Sequence, residues 1–350
     1  MRPIPLNLMT LYADLLQSLT LDDGPAGSIA IKTVKKRKYA YVTTKDGRTR
    51  VEKYLGLADD PKVQHQIARV RQAAERAKSL KSTVSLLKRG RFPSPSLPLG
   101  RVLEVLANAG LFKRGMTLVG TAAYQTYAGV LGHYAPAAAL MTNDADLSVA
   151  EFVPTEEEED IEQILKRADP TFAPVWQTED KLPKVFRSSN GFAVDFLTRA
   201  TRGGRTPALV TSLGLAATPL SFQEFPVEET IETVALYGSG VLVRVPTPLR
   251  YGVHKLIVAQ RRQSQAIAKK QKDLRQAQEL LDIFLQIDED ALQDMLDAAR
   301  GRGPAWKSAI NASLKELGRE ARQGRLPVPL LENKVRPIGA SQGRARRRGR

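Results

Sequence analysis

An α/β (α+β) fold is predicted for this chain of 350 residues: a mixed sheet flanked by helices, preceded by a β-hairpin and a long helix and followed by a helical domain. Three observations predict it. Strand-like and helix-like segments alternate beyond residue 96. Near the N-terminus a Lys45-Asp46-Gly47 turn joins two runs of alternating polarity, and residues 60–88 keep apolar positions three and four apart without interruption. At 42% hydrophobic and 26% charged, the composition is globular, and the length suffices for two domains and a sizeable core. The chain has no cysteine, which excludes disulfides, thiol nucleophiles and thiolate zinc sites and leaves chemistry to carboxylates, lysines and three histidines.

The opening MRPIPLNLMTLYADLLQSL is interrupted by Asp14 and lacks a long apolar core before a small-residue cleavage site. It reads as an amphipathic helix rather than a signal peptide, and a cytoplasmic protein is expected. Within residues 29–56, IAIKTV, KYAYVTT and RTRVEKYLG read as strands, with Asp46-Gly47 as a hairpin signal. This hairpin carries Lys35, Lys36, Arg37, Lys38, Lys45, Arg48, Arg50 and Lys53, with Tyr39, Tyr41 and Tyr54 interleaved. Cations among aromatics suit a nucleic-acid surface, where phosphates take the charge and bases stack on rings, and Lys36, Arg37, Lys38 and Arg48 are the candidate contacts. They also suit a solvated hairpin whose tyrosines cover the next domain. The helical stretch 60–88 is dense in Ala, Arg, Lys and Gln and breaks at FPSPSLPLG, where Pro93, Pro95 and Pro98 mark a linker.

After the linker, residues 100–112 read as a helix, MTLVG as a short buried strand and TAAYQTYAGVLG as a helix beginning directly after Gly120. A glycine at such a turn lets the backbone approach an anion, and the free amides of the next helical turn can hold phosphate. In TNDADLS, read as a strand, Asp144, Asp146 and Ser148 share one face while Ala145, Leu147 and Val149 share the other. In FAVDFLT, Asp195 stands alone among apolar residues. A buried carboxylate there costs roughly several kcal/mol unless it is paired, protonated or bound to a cation. Three aspartates from adjacent strands would form an all-oxygen pocket suited to Mg²⁺.

From Gly115 to Asn143 the chain holds no formally charged residue other than a protonated His133, yet its Thr121, Gln125, Tyr127 and Pro136 make it a protein core rather than a membrane span. The net charge is +16, and seven cations, among them Arg346, Arg347 and Arg348, lie after Asn333 in a tail without acids. The tail reads as disordered, either a grip on a polyanion or a solubilising end. Four segments result: 1–95, with the N-terminal helix, basic hairpin and long helix; 96–245, with the sheet; 246–325, helical; and 326–350, the basic tail.

LVGTAAY, TNDADLS and FAVDFLT, in this order, resemble the polymerase-beta-like nucleotidyltransferases: a strand ending in Gly-Ser or Gly-Thr, a helix, an acidic-x-acidic pair on the next strand and a third acid on a later one. Within that superfamily the chain looks most like bacterial uncharacterised nucleotidyltransferases and the toxin-like enzymes of abortive-infection systems. A further helical segment of theirs is matched by PTPLRYGVHKLIVAQRRQSQAIAKKQKDLRQAQELL, through Pro248, Lys255, Leu256, Arg262, Lys272 and Asp273. The resemblance covers about residues 96–290. It implies transfer of a nucleoside monophosphate from an NTP to a hydroxyl acceptor. Asp144, Asp146 and Asp195 would hold two Mg²⁺ (or Mn²⁺) ions, with Asp195 also the general base. Gly120 and Thr121 would meet the β- and γ-phosphates, and Lys255 and Arg262 would bind the nucleotide. Lys255, Ala259 and Arg262 fall on one helical face if the helix runs through them; from the residues alone Lys255 is a solvated lysine and Asp273 a partner of Lys269 or Lys270.

The basic hairpin and tail favour RNA or another polyanion as acceptor, such as a tRNA end, and a cognate antitoxin is an implied partner. The alternatives are transfer to a protein or small molecule, and a non-catalytic nucleic-acid-binding protein that retains the fold. No membrane partner is expected. Arg199, Arg202 and Arg205 form a basic loop after Asp195 that is either a phosphate grip or a surface connection. The helices DEDALQDMLDAAR and PAWKSAINASLKELGREARQ carry a packing pattern and no chemistry.

Overall fold

The computed structural model describes residues 2–21, 27–46, 49–139, 142–155, 158–177, 180–200, 206–263 and 265–322. They belong to two compact units, Met1–His254 and Lys255–Arg350. No helix among the described residues is long and apolar enough to cross a membrane.

In the first unit, helix Leu6–Thr20 buries Tyr12 and Leu15 and leaves Asp14 exposed, the amphipathic arrangement its sequence predicts. The Tyr12 hydroxyl lies 2.6 Å from that of Thr233, and its ring stacks on Phe92 at 5.9 Å. The long helix runs from Pro61 to Arg89. It starts there because Asp60 accepts a hydrogen bond from the Lys62 amide at 2.7 Å, while Pro61 occupies a first-turn position where a missing N–H costs nothing. Lys88 and Arg89 in the last turn suit the negative end of the helix dipole. Its ends serve different cores: Val63 and Ile67 join Ala40 and Ala58, whereas Val84 and Leu87 join Tyr12, Leu15 and Phe92.

Three antiparallel strands, Gly27–Val34, Arg37–Asp46 and Thr49–Leu57, form the N-terminal sheet. Gly47 and Arg48, in the second connection, lie outside the described residues. The first connection is a two-residue turn of Lys35 and Lys36, both left-handed at φ 47° and 64°. A turn of this hand follows the strand twist and ordinarily takes Asn-Gly, because an L side chain in the left-handed region costs roughly 1–2 kcal/mol. Two lysines give no turn signal, which is why only the Asp-Gly connection is legible in the sequence.

The central sheet has the order Ala208–Val210, Leu215–Leu220, Ala193–Arg199, Asp144–Ser148, Thr117–Val119, with Val185–Arg187 also paired to Ala193–Arg199 and Ala173–Val175 beside it. Asp144–Ser148 and Leu215–Leu220 run parallel to Ala193–Arg199; the other pairs are antiparallel, so the sheet is mixed as predicted. Helix Leu97–Asn108, which buries leucines and valines, packs beside helix Ile161–Ala168, which buries Ile161, Ile164 and Leu165. The first of these begins three residues before the sequence reading, inside the proline linker, because Ser96 caps it and Pro98 fits its first turn. It ends at Asn108, before Gly110 turns left-handed at φ 73°.

TAAYQTYAGVLG is not one helix. It forms Gly120–Tyr124 and Ala128–Leu131, joined by bonds such as Thr126 N–H to Ala123 O at 3.0 Å, while the Thr126 hydroxyl donates to the same carbonyl at 2.8 Å. That hydroxyl competes for a carbonyl the helix would otherwise use. A hairpin of Thr230–Ala235 and Val241–Pro246 follows the sheet, burying Val234, Val243 and Val245. Helix Pro248–Ala259 comes next.

The second unit is helical, with Ile267–Ile287, Glu289–Gly301 and Pro304–Arg322. Asp288 caps the middle helix by accepting from the Ala291 amide at 3.0 Å. Leu292, Leu296, Ile310 and Leu317 are buried, as the packing pattern predicts.

Candidate active site

Strand alternation and register bring the three aspartates together. Asp146 stands opposite Asp195 in the parallel ladder, Asp144 opposite Ala193, and Val119 faces Asp146 from the other side. Ala145, Leu147, Val194 and Phe196 are fully buried on the opposite face, which fixes the register, since a one-residue slip would drive carboxylates into the core. Asp144, Asp146 and Asp195 themselves are half-buried, each with a carboxylate oxygen within 4.8 Å of the others. Among the described residues this is the one cluster of acids or histidines disposed to hold a metal. The Thr142 hydroxyl donates to Asp144 Oδ1 and helps aim it. Two unit charges about 4 Å apart repel by roughly 1 to 4 kcal/mol between bulk water and a protein surface, so the cluster favours a bound cation.

Gly120 abuts this cluster. Its φ is +64°, and a Cβ built there would lie 2.1 Å from Asp146 Oδ2, so both conformation and space demand glycine. Its carbonyl accepts a hydrogen bond from the Tyr251 hydroxyl at 2.9 Å. Tyr251 is itself packed against Tyr124 and Tyr127, with ring centroids 5.8 and 5.3 Å away. The Tyr127 hydroxyl donates to Pro246 O at 2.8 Å, and burial pushes its pKa well above the ordinary phenol value, so it stays a donor. Three buried tyrosines therefore brace the Gly-Thr turn from behind. Sequence reasoning missed Tyr251, because nothing in LRYGVH marks its ring as pointing back 131 residues to Gly120.

An alanine at 120 would displace the Asp146 carboxylate. Gly120→Ala is expected to lower transfer activity by about 10² through misplacement of that group, and to cost about 1–2 kcal/mol of stability from the left-handed backbone. Steady-state rates and a urea titration check it; an unchanged rate would remove Gly120 from the site.

In the second unit, Lys255 is buried and its Nζ lies 2.7 Å from Asp273 Oδ1, while Arg262 Nε lies 2.9 Å from Oδ2 of the same carboxylate. The expectation of a solvated Lys255 and of a helix carrying both cations is corrected. The helix ends at Ala259 in turns closed by Gln260 N–H to Ile257 O and Arg261 N–H to Val258 O, so Arg262 reaches Asp273 from beyond it. Nor does Asp273 pair with Lys270, which meets Glu316 at 2.7 Å instead; Asp273 faces inward on its helix, only 2% exposed. Burial alone would raise the Asp273 pKa, but the charge and hydrogen bonds of Lys255, then of Arg262, outweigh it and hold the carboxyl below its usual range.

Lys36, Arg37 and Lys38 are exposed at the first turn of the N-terminal sheet. Arg199 pairs with Glu151 at 3.4 Å. Arg48, Arg202, Arg205 and the tail residues Arg346, Arg347 and Arg348 lie outside the described residues.

No curated protein and no solved structure matches the chain significantly. A family model described as nucleotidyltransferase matches residues 98–300, from the first sheet-flanking helix through the Gly-Thr turn and all three aspartates to the Lys255–Asp273 segment. With more than half of its 350 residues matched, the chain belongs to this nucleotidyltransferase family, and the protein is a nucleotidyltransferase enzyme.

Proposed function

We propose that the enzyme transfers a nucleoside monophosphate from an NTP to a hydroxyl of a nucleic-acid acceptor, such as a tRNA end, at the Asp144, Asp146 and Asp195 cluster. The observation that carries this reading is the in-register pair of Asp146 and Asp195 on neighbouring parallel strands, with Asp144 within 4.8 Å. The donor set, oxygen only and close enough to share cations, fits Mg²⁺ or Mn²⁺, and the proposed complement is two ions. Bound there, divalent cations screen the triphosphate and lower the pKa of the attacking hydroxyl.

The side chains supply the rest. Asp195 accepts the proton of the acceptor hydroxyl as its oxygen bonds to the α-phosphorus and the bond to the β-phosphate oxygen breaks, releasing pyrophosphate. Gly120 lets the triphosphate approach the backbone, and the Thr121 amide region meets its β- and γ-phosphates. Lys255 and Arg262 are proposed as nucleotide contacts. Asp273 supports that role by gathering two cations on one anion, leaving the trio with net positive charge.

An RNA acceptor is supported by the net charge of +16 and by the exposed Lys36, Arg37 and Lys38. Arg48 and the tail residues Arg346, Arg347 and Arg348 are proposed to add to it. The cytoplasm, where NTPs, Mg²⁺ and RNA meet, is the proposed location. A toxin-like role held in check by a cognate antitoxin rests on the resemblance of the PTPLRYGVHKL segment. The test is incubation with each α-labelled NTP, Mg²⁺ or Mn²⁺ and total cellular RNA. Label retained in RNA supports the reading; label found only in protein or in small products transfers it to that acceptor class.

A further inference from the structure

The outer face of the N-terminal sheet combines flat rings with cations. The register pairs Lys32 with Tyr39, Tyr41 with Tyr54 and Lys45 with Arg50, and alternation puts Arg37 with them. The Tyr54 ring centroid lies 5.4 Å from that of Tyr41 and 6.1 Å from that of Tyr39, and Lys32 Nζ sits 4.5 Å over the Tyr41 ring. The opposite face already has its core, with Ala40 and Val42 buried and Ala40 packed with Val63 and Ile67 of the long helix. Tyr54 nevertheless remains 53% exposed, and Tyr39 and Tyr41 are half-buried, so this face presents ring surface to solvent. Of the residues the register places on this face, Glu52 is the acid, and it is held by Lys32 at 2.7 Å.

The turn at the edge of this face points the same way. Lys35 and Lys36 occupy left-handed positions where Asn-Gly would fold with less strain, so charge is kept there at the expense of local stability. A ligand that answers both rings and cations is a polyanion with accessible flat bases. A duplex hides its bases, whereas a single strand offers every one for stacking.

We propose that the face formed by Tyr39, Tyr41 and Tyr54, rimmed by Lys32, Arg37, Lys45, Arg50 and the Lys35-Lys36 turn, is a stacking platform for single-stranded RNA. It rests on the nucleic-acid acceptor argued above and names the surface that holds that strand. Bases stack on the tyrosines and phosphates meet the cations, without reading sequence.

The test is fluorescence anisotropy of the full-length chain with a short unstructured RNA, in the absence of NTP, over a series of salt concentrations. Tyr41→Leu with Tyr54→Leu keeps apolar area and removes the rings; affinity is expected to fall roughly tenfold or more with the salt slope unchanged. Lys35→Asn with Lys36→Gly is expected to raise the unfolding midpoint while weakening RNA binding and flattening the log–log salt slope by about 0.7 for each phosphate no longer neutralised. A duplex of the same sequence is expected to compete poorly. Wild-type affinity in both variants, equal binding of duplex, or preferential capture of anionic vesicles would overturn the platform. Because no transfer step enters the measurement, an enzyme that transfers nothing to RNA but loses binding with its tyrosines refutes the acceptor reading alone, and the converse refutes the platform alone.

Discussion

Asp146→Asn is expected to abolish nucleotide transfer while leaving RNA affinity and fold nearly intact. Asparagine keeps the shape of the side chain and removes one of the three charges that would let the cluster hold a cation. A loss on the order of 10³-fold or more is expected, equivalent to about 4 kcal/mol of barrier, because Asp146 sits between Asp195 on one strand and Gly120 on the other side. The variant should also unfold at slightly higher denaturant without divalent cations, since one charge of three repelling carboxylates is gone. Transfer rates, RNA binding and urea midpoints on the same preparation separate these effects. Equal rates for wild type and variant with all four NTPs would leave the binding-protein alternative.

Asp273→Ala is expected to destabilise the second unit by about 3–5 kcal/mol, the cost of removing the shared anion from two cations, one of them buried. The pH dependence follows from the lowered pKa of Asp273. A carboxyl whose folded pKa lies below its unfolded value of roughly 3.9 stabilises fully above that value and loses the contribution as pH falls through the folded pKa. The difference in urea midpoint between wild type and variant should therefore be level at neutral pH and shrink below about pH 4. The paired change Lys255→Met with Asp273→Leu should be milder than Asp273→Ala, because it removes buried charge from both sides. A pH-independent difference would mean that Asp273 acts by packing alone.

The candidate aspartate cluster was legible because polar residues interrupted apolar strands. Asp146 and Asp195 each sit between residues the core requires, Asp144 precedes the buried Ala145, and a period of two left their side chains on one face. Gly120 was legible from its place after a strand, and the long helix from apolar positions recurring three and four apart, whereas its Asp60 cap was not singled out. What the sequence hid depends on contacts far apart in the chain or on unusual backbone. Tyr251 reaches Gly120 across 131 positions, and Lys255 reaches Asp273 across 18. Helical spacing put Arg262 on a helix that stops at Ala259, and the Lys35-Lys36 turn uses residues that carry no turn signal. Local pattern fixes faces; it does not say which distant side chain meets them.

The central claim is that this cluster moves the α-phosphoryl group of an NTP, and parallel reactions with α-labelled and γ-labelled NTP test it most directly. With Mg²⁺ and RNA, label from the α position is expected to be retained by the acceptor and label from the γ position to leave with pyrophosphate, and both signals are expected to vanish in Asp195→Asn. Retention of γ-label, or α-label incorporation that persists in Asp195→Asn, would contradict the assignment of transfer to Asp144, Asp146 and Asp195.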